Sequence, residues 1–478
     1  MNQYYILKPK NLNLQSLVNK FPPDFKLNLD FAYLIIYLVI MWSDKTNNSK
    51  KVQLHSKFLE KLIGRNYHKY IDFLLENYPA SGNVLNGYKY KKGFHPFSYK
   101  LTNYYFEGGF ELYSINDYKL INRIKTVFTK STNENIRTNY YFLLKYFNDK
   151  KLTVYNPFKA IEQTNGLMPQ KSLKNALNLL SILNSENKLT LKTTTDGRVH
   201  SNITRLSKSS RKYLQYDGEF LAEIDISSAV PYFLFLTMDY YLNNRLDCIN
   251  EFQYNNPIPF TYMFDEVTGD IDKTELNEFG KSIFNAVFYE QFNELIFSQS
   301  FYESKGLDFD KVMKYYQHSF KKMFGYYFDG VDEDLKKFAK RRILSMLFAN
   351  TKTYKYEQIV FKEIYPTIHK FINEFKDVKQ YKDCEDVKWS KKDCHKKLSY
   401  FCFQFEAKVM IDKIAREFDK LHKGKVPIFT IHDCILTTTS HAVELKEFIL
   451  KKFIDLFCNA PNLTLEYSEF YESYEIAS

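Results

Sequence analysis

Two aspartates carry the strongest chemical signal in this sequence. Asp225 closes an apolar run in AEIDISS, and Asp433 closes another in FTIHDCILT. A carboxylate at the end of an apolar strand is stripped of water by its neighbours, a costly state unless pairing or a metal compensates. Two such carboxylates converging on one spot are how two Mg²⁺ ions, or Mn²⁺ in their place, are held for in-line phosphoryl transfer. Taken singly, each aspartate reads better as a turn or cap residue. The His432–Asp433 dipeptide is one that chance supplies readily.

A second group lies in KKFAKRRILSMLFANTKTYKYEQ (336–358). Lys336, Lys340, Leu344 and Phe348 recur every fourth residue and so follow one slowly rotating helix face. Cations at one end and apolar groups at the other suit a triphosphate and a base, although an ordinary basic amphipathic helix has the same pattern. A third group is TTDGRVHSNITRLSKSSRKYL (194–214), which sets Arg198 at the apex of a turn ahead of Arg205, Lys208, Arg211 and Lys212. Such a strip binds a phosphate backbone or simply faces solvent.

The elements that must position these groups are legible from periodicity. Residues 218–236 read as a strand running into a buried helix that opens near Pro231. Residues 272–378 have helical spacing with many charges. The chain closes with helix (398–421), strand–turn–strand (425–439), helix (442–458) and a final strand (462–470). Helices gathered on an antiparallel sheet make an α+β fold. Residues 1–185 read as basic and mostly helical, with apolar residues at helical spacing in 58–78 and 173–183. Segment 86–100 interleaves Lys with Tyr and Phe, a mixture suited to phosphate neutralisation and base stacking or to a plain solvated loop.

Composition narrows the classes. The 478 residues carry 67 Lys and Arg against 56 Asp and Glu, a net charge of +11 that favours a polyanionic partner. At 45% hydrophobic, the chain can build a large core, which excludes wholesale disorder. Only 15 Gly and 13 Pro argue against a turn-rich all-β fold. Aromatics reach 18%, and together with abundant Lys, Asn and Ile they reflect AT-rich codons, as in a low-GC bacterium, phage or mobile element. Six scattered cysteines give no disulfide framework. Cys384, Cys394 and His395 are too irregularly spaced for a zinc site. The apolar run 31–42 has twelve residues where a membrane span needs about 20, so it reads as a buried helix. With no secretory segment at the start, a cytoplasmic setting and no membrane partner are expected.

The order of these groups along the chain resembles family A DNA polymerases and the phage-type single-subunit RNA polymerases that share their palm. Thr194, Gly197 and Arg198 look like the ThrXXGlyArg motif that grips primer–template. Asp225 in DISSAVP resembles motif A, and AKRRILSMLFA (339–349) resembles motif B on the fingers helix. FQFEAKVMIDKI (403–414) is similar to the helix whose glutamine, here Gln404, reads the minor groove at the primer end. His432 and Asp433 look like motif C. The resemblance implies that Asp225 and Asp433 bind the two metals and that Lys340 contacts the incoming triphosphate, with Lys336 on the same helix face as a further nucleotide-binding candidate. It implies that Leu344 and Phe348 pack beside the nucleotide, and that Arg198, Gln404 and His432 meet nucleic acid. The departures are Val230 for the motif-A glutamate, Cys434 after Asp433, Leu344 for an aromatic, and about a hundred extra residues between Asp225 and Lys340.

The expectation is a right-hand polymerase with an antiparallel palm sheet, helical fingers and a mostly helical N-terminal region. Its divisions are a thumb-like or template-binding domain (1–185), a first palm segment (186–239), fingers with an insertion (240–378) and a second palm segment (379–478). No spaced acidic pairs of a proofreading exonuclease occur in 1–185. The expected reaction is primer extension with dNTPs, because Val230 and Phe348 offer a ribose 2′-hydroxyl no polar partner. An RNA polymerase is the first alternative, and a non-catalytic replication or defence protein with a degenerate palm is the second.

Overall fold

The strand Glu219–Ile226 brings Asp225 to the penultimate position of an almost wholly buried ladder. Residues 3–471 are described by the computed structural model, apart from 44–50, 80–81, 89–96, 129–133, 149, 187–188, 193–194, 253–263, 265–266, 268, 329–331, 378–379, 382–383 and 389–392. The chain falls into two units. One comprises Met1–Thr190, His200–Ala222 and Tyr467–Ser478, and the other Leu191–Val199 and Glu223–Glu466.

In the first unit, Tyr4–Pro9 pairs antiparallel with Phe110–Ile115, and the helix Leu29–Ser43 is buried along most of its length. That helix is the apolar run 31–42, and it lies in the core of this unit. Its buried Asp30 accepts from the backbone N–H groups of Asn116 and Asp117, both at 2.9 Å, and from the Tyr113 hydroxyl at 2.7 Å. A buried carboxylate satisfied by three donors ties the helix start to the chain beyond Phe110–Ile115. A second small sheet joins Val52–Gln53, Ser98–Leu101 and Leu85–Tyr88. The unit is therefore less purely helical than its periodicity suggested. Tyr4–Pro9 is buried on both faces, so it lacks the polar/apolar alternation that would have marked it as a strand. Of segment 86–100, residues 89–96 lie outside the described residues.

In the second unit, four strands stand in the order Phe429–Ile431, Cys434–Thr438, the end of Glu219–Ile226, and Leu463–Glu466. Phe429–Ile431 and Cys434–Thr438 form a hairpin in which Ile431 faces Cys434, leaving His432 and Asp433 as a two-residue loop. All eight of its strand residues are buried, as expected of strands covered on both faces. The final strand ends at Glu466, shorter than the 462–470 pattern implied, and residues 469–471 turn helical.

Helix Ala229–Leu242 starts two residues before Pro231 and is apolar nearly all round, so it runs through the core. Its Phe233 meets Phe405 at 5.0 Å and Phe453 at 6.4 Å. Phe405 belongs to Lys396–Ala407, which continues through a π-helical stretch, Lys408–Ala415, into Arg416–Leu421. The helix Asp332–Phe348 carries the every-fourth-residue group. Its late carbonyl at Met346 accepts both from the Ala349 N–H and from the buried Lys376 Nζ, each at 3.2 Å. Among the described residues, no helix is long and apolar enough to cross a membrane.

Candidate active site

Asp225 and Asp433 come together through the sheet. The N–H of Ile226, next to Asp225, donates to the carbonyl of Asp433 at 3.1 Å. Both side chains are half-buried. Each sits beside a non-glycine residue in the left-handed region: His432 at φ 55° before Asp433, and Ser228 at φ 59° three residues after Asp225. That conformation costs an L residue roughly 1–2 kcal/mol, so the surrounding sheet imposes both turns.

A third carboxyl, Glu406, completes the acidic group, and the sequence pattern had not singled it out. It is 1% exposed and receives Arg198 through Nε at 3.0 Å and Nη2 at 2.7 and 2.8 Å, covering both of its oxygens. Burial pushes the Glu406 carboxyl above the usual carboxylate range. The Arg198 charge opposes that rise, and the charges of Asp433 and Asp225 add to it. Glu406 therefore lies within the field of both aspartates. The signal for it was present in FQFEA, one carboxylate in an apolar helical stretch.

Arg198 is also stacked on Phe403, 4.0 Å from guanidinium carbon to ring centre, and Phe403 meets Phe348 edge-to-face at 5.1 Å. Arg198 stands at the turn that the sequence placed there. Gly197, at φ 64°, closes it with an N–H bond to the Lys192 carbonyl at 2.8 Å. Gln404 is fully buried, and its Nε2 donates to the carbonyl of Thr195 at 3.2 Å. In this structure Gln404 braces the turn from beneath. Thr194 lies outside the described residues.

On Asp332–Phe348, Lys336 and Lys340 are exposed, whereas Leu344 and Phe348 are half-buried, so the face passes from charged to apolar as its sequence implied. Val230 and His432 are half-buried. The Lys340 ammonium stands 5.5 Å from the ring centre of Tyr289. Burial raises the Tyr289 phenol far above the usual tyrosine range, and the Asp433 charge raises it further, so Tyr289 stands beside Lys340 and within the field of Asp433. Nothing in the sequence singled out this tyrosine among 39.

Asp225, Asp433, Glu406, Arg198, Phe403, Phe348, Lys340 and Tyr289 thus form one connected neighbourhood within the second unit. Two half-buried carboxylates at neighbouring strand ends are hard oxygen donors. Mg²⁺ takes such a pair when substrate phosphates and water complete its shell. Among the described residues no group of three or more His, Cys, Asp and Glu is placed to hold a metal ion by itself.

No protein-family model matches the chain, and no curated protein matches it. Solved structures do match, among them the POL domain of Pol1 from M. smegmatis in complex with DNA primer-template and dNTP. The identity is 9% and the TM-score 0.31, over 71% of this chain. The match spans 61% of that domain's length.

Proposed function

We propose that the chain is a template-directed nucleotidyltransferase that extends a primer 3′-hydroxyl with deoxynucleoside triphosphates, a DNA polymerase of the family A type. The observation that carries this reading is the union of Asp225 and Asp433 across the Ile226–Asp433 hydrogen bond, with Tyr289 beside Lys340 and within the field of Asp433. Asp225 and Asp433 would hold Mg²⁺, which when bound lowers the pKa of the attacking hydroxyl and offsets charge on the leaving oxygens. Lys340, exposed and charged, would take the triphosphate as negative charge builds on it. Arg198, fixed by Glu406 and Phe403, would present the rim of its guanidinium to the primer–template. Val230 and Phe348 would close the space beside the sugar.

The test is extension of a labelled primer on a template, with dNTPs or NTPs, with and without Mg²⁺. Extension with dNTPs that stops on chelation, and that Asp225→Asn and Asp433→Asn abolish while nucleic-acid binding persists, is the expected result. No extension with either nucleotide would sink the reading. Equal use of NTPs would transfer it to an RNA polymerase.

A further inference from the structure

Tyr289 and Glu290 treat the two lysines of helix Asp332–Phe348 differently. Tyr289 puts its ring under Lys340 at 5.5 Å, a contact that steadies an ammonium without neutralising it. The next residue, Glu290, pairs with Lys336 at 3.0 Å, and both side chains are about half exposed. Tyr289 is itself anchored by Phe288, whose ring lies 4.9 Å away, is fully buried, and packs on Phe279, Phe292 and Tyr365. The dipeptide is thus seated on a rigid aromatic core and contacts one lysine with each of its residues.

We propose that Tyr289 is a positioning residue that holds Lys340 in place for the phosphates of a nucleoside triphosphate, while Glu290 keeps Lys336 paired. This rests on the polymerase reading and adds to it the residues that rank the two lysines. An incoming triphosphate meets at Lys340 a steadied cation that has no ion pair among the described residues. At Lys336 it meets a cation already paired with a carboxylate that repels it. Because the Glu290–Lys336 pair is exposed, its grip is weak, and a polyanion can displace Glu290.

The experiment measures binding of a fluorescent dNTP to the full chain with primer–template and Mg²⁺, alongside kcat and KM for extension. Tyr289→Leu is expected to raise Kd and KM about two- to fivefold with kcat nearly unchanged, and Tyr289→Phe, which keeps the ring face, to restore both. Glu290→Gln is expected to lower Kd. Lys340→Ala should raise KM more than Lys336→Ala, and the gap should narrow in the Glu290→Gln background. Wild-type affinity in Tyr289→Leu, an equal defect in Tyr289→Phe, or a change confined to kcat would overturn the proposal while leaving the polymerase reading intact. Wild-type chain that neither binds nucleotide nor extends primer would remove both.

Discussion

Arg198 grips both oxygens of Glu406 from a side chain only 13% exposed, against 1% for its partner. A guanidinium fork on a carboxylate is the strongest geometry open to such a pair. Burying both charges is expensive, and the pair survives because each compensates the other.

Removing one partner is therefore worse than replacing both. Glu406→Ala strands the Arg198 charge and should cost about 3–5 kcal/mol in urea unfolding. The Arg198→Met, Glu406→Leu double variant should recover most of that loss. If Glu406→Ala unfolds at the wild-type urea midpoint, the ion pair contributes nothing to the fold.

Phe348 meets Phe403, and Phe403 carries Arg198 on its face. Phe348→Ala should open space beside the sugar and raise NTP use relative to dNTP by about 5- to 150-fold, the range set by roughly 1–3 kcal/mol for an unpartnered hydroxyl. It should also loosen Arg198 and weaken primer–template binding. An unchanged nucleotide ratio with weakened binding would mean that Phe348 supports Arg198 alone.

Lys376 is fully buried, and burial lowers its pKa from 10.5 to about 8. Between those values the unfolded chain holds more protons than the folded one, so this lysine makes stability rise with pH from about 8 towards 10.5. Below pH 8 both states are charged and the full penalty of burial applies. Lys397, likewise lowered to about 8, adds a similar slope. Lys376→Met should flatten the rise measured between pH 8 and 9.5, leaving the share of Lys397. An unaltered slope would show that Lys376 reaches water in the folded state.

Helices Lys273–Phe284 and Ala229–Leu242 touch where Gly280 faces Phe235. A Cβ on Gly280 would lie 2.6 Å from the Phe235 ring. Gly280→Ala should cost about 1–3 kcal/mol by forcing that ring aside. Gly280→Ala with Phe235→Leu should recover some of it. A Gly280→Ala variant with unchanged thermal stability would mean that the ring moves freely.

The helices and the hairpin were legible because their signals are local. A continuous apolar run opening near Pro231 marked Ala229–Leu242, spacing of apolar residues marked Asp332–Phe348 and Ala442–Phe457, and the apolar flanks of His432–Asp433 marked the turn. Residue type and order along the chain also pointed to Asp225, Asp433 and Lys340, since a carboxylate in an apolar strand needs a reason to be there. Tyr4–Pro9 escaped notice because burial on both faces erased its alternation. What only the tertiary structure decided is which distant residues meet. That Arg198 spends its fork on Glu406, that Gln404 turns inward to Thr195, and that Tyr289 stands beside Lys340 depend on how helices pack on the sheet. Packing is a property of pairs far apart in the chain. No periodicity along one segment records its partner in another, so the sequence pointed to candidate groups and folding chose their neighbours.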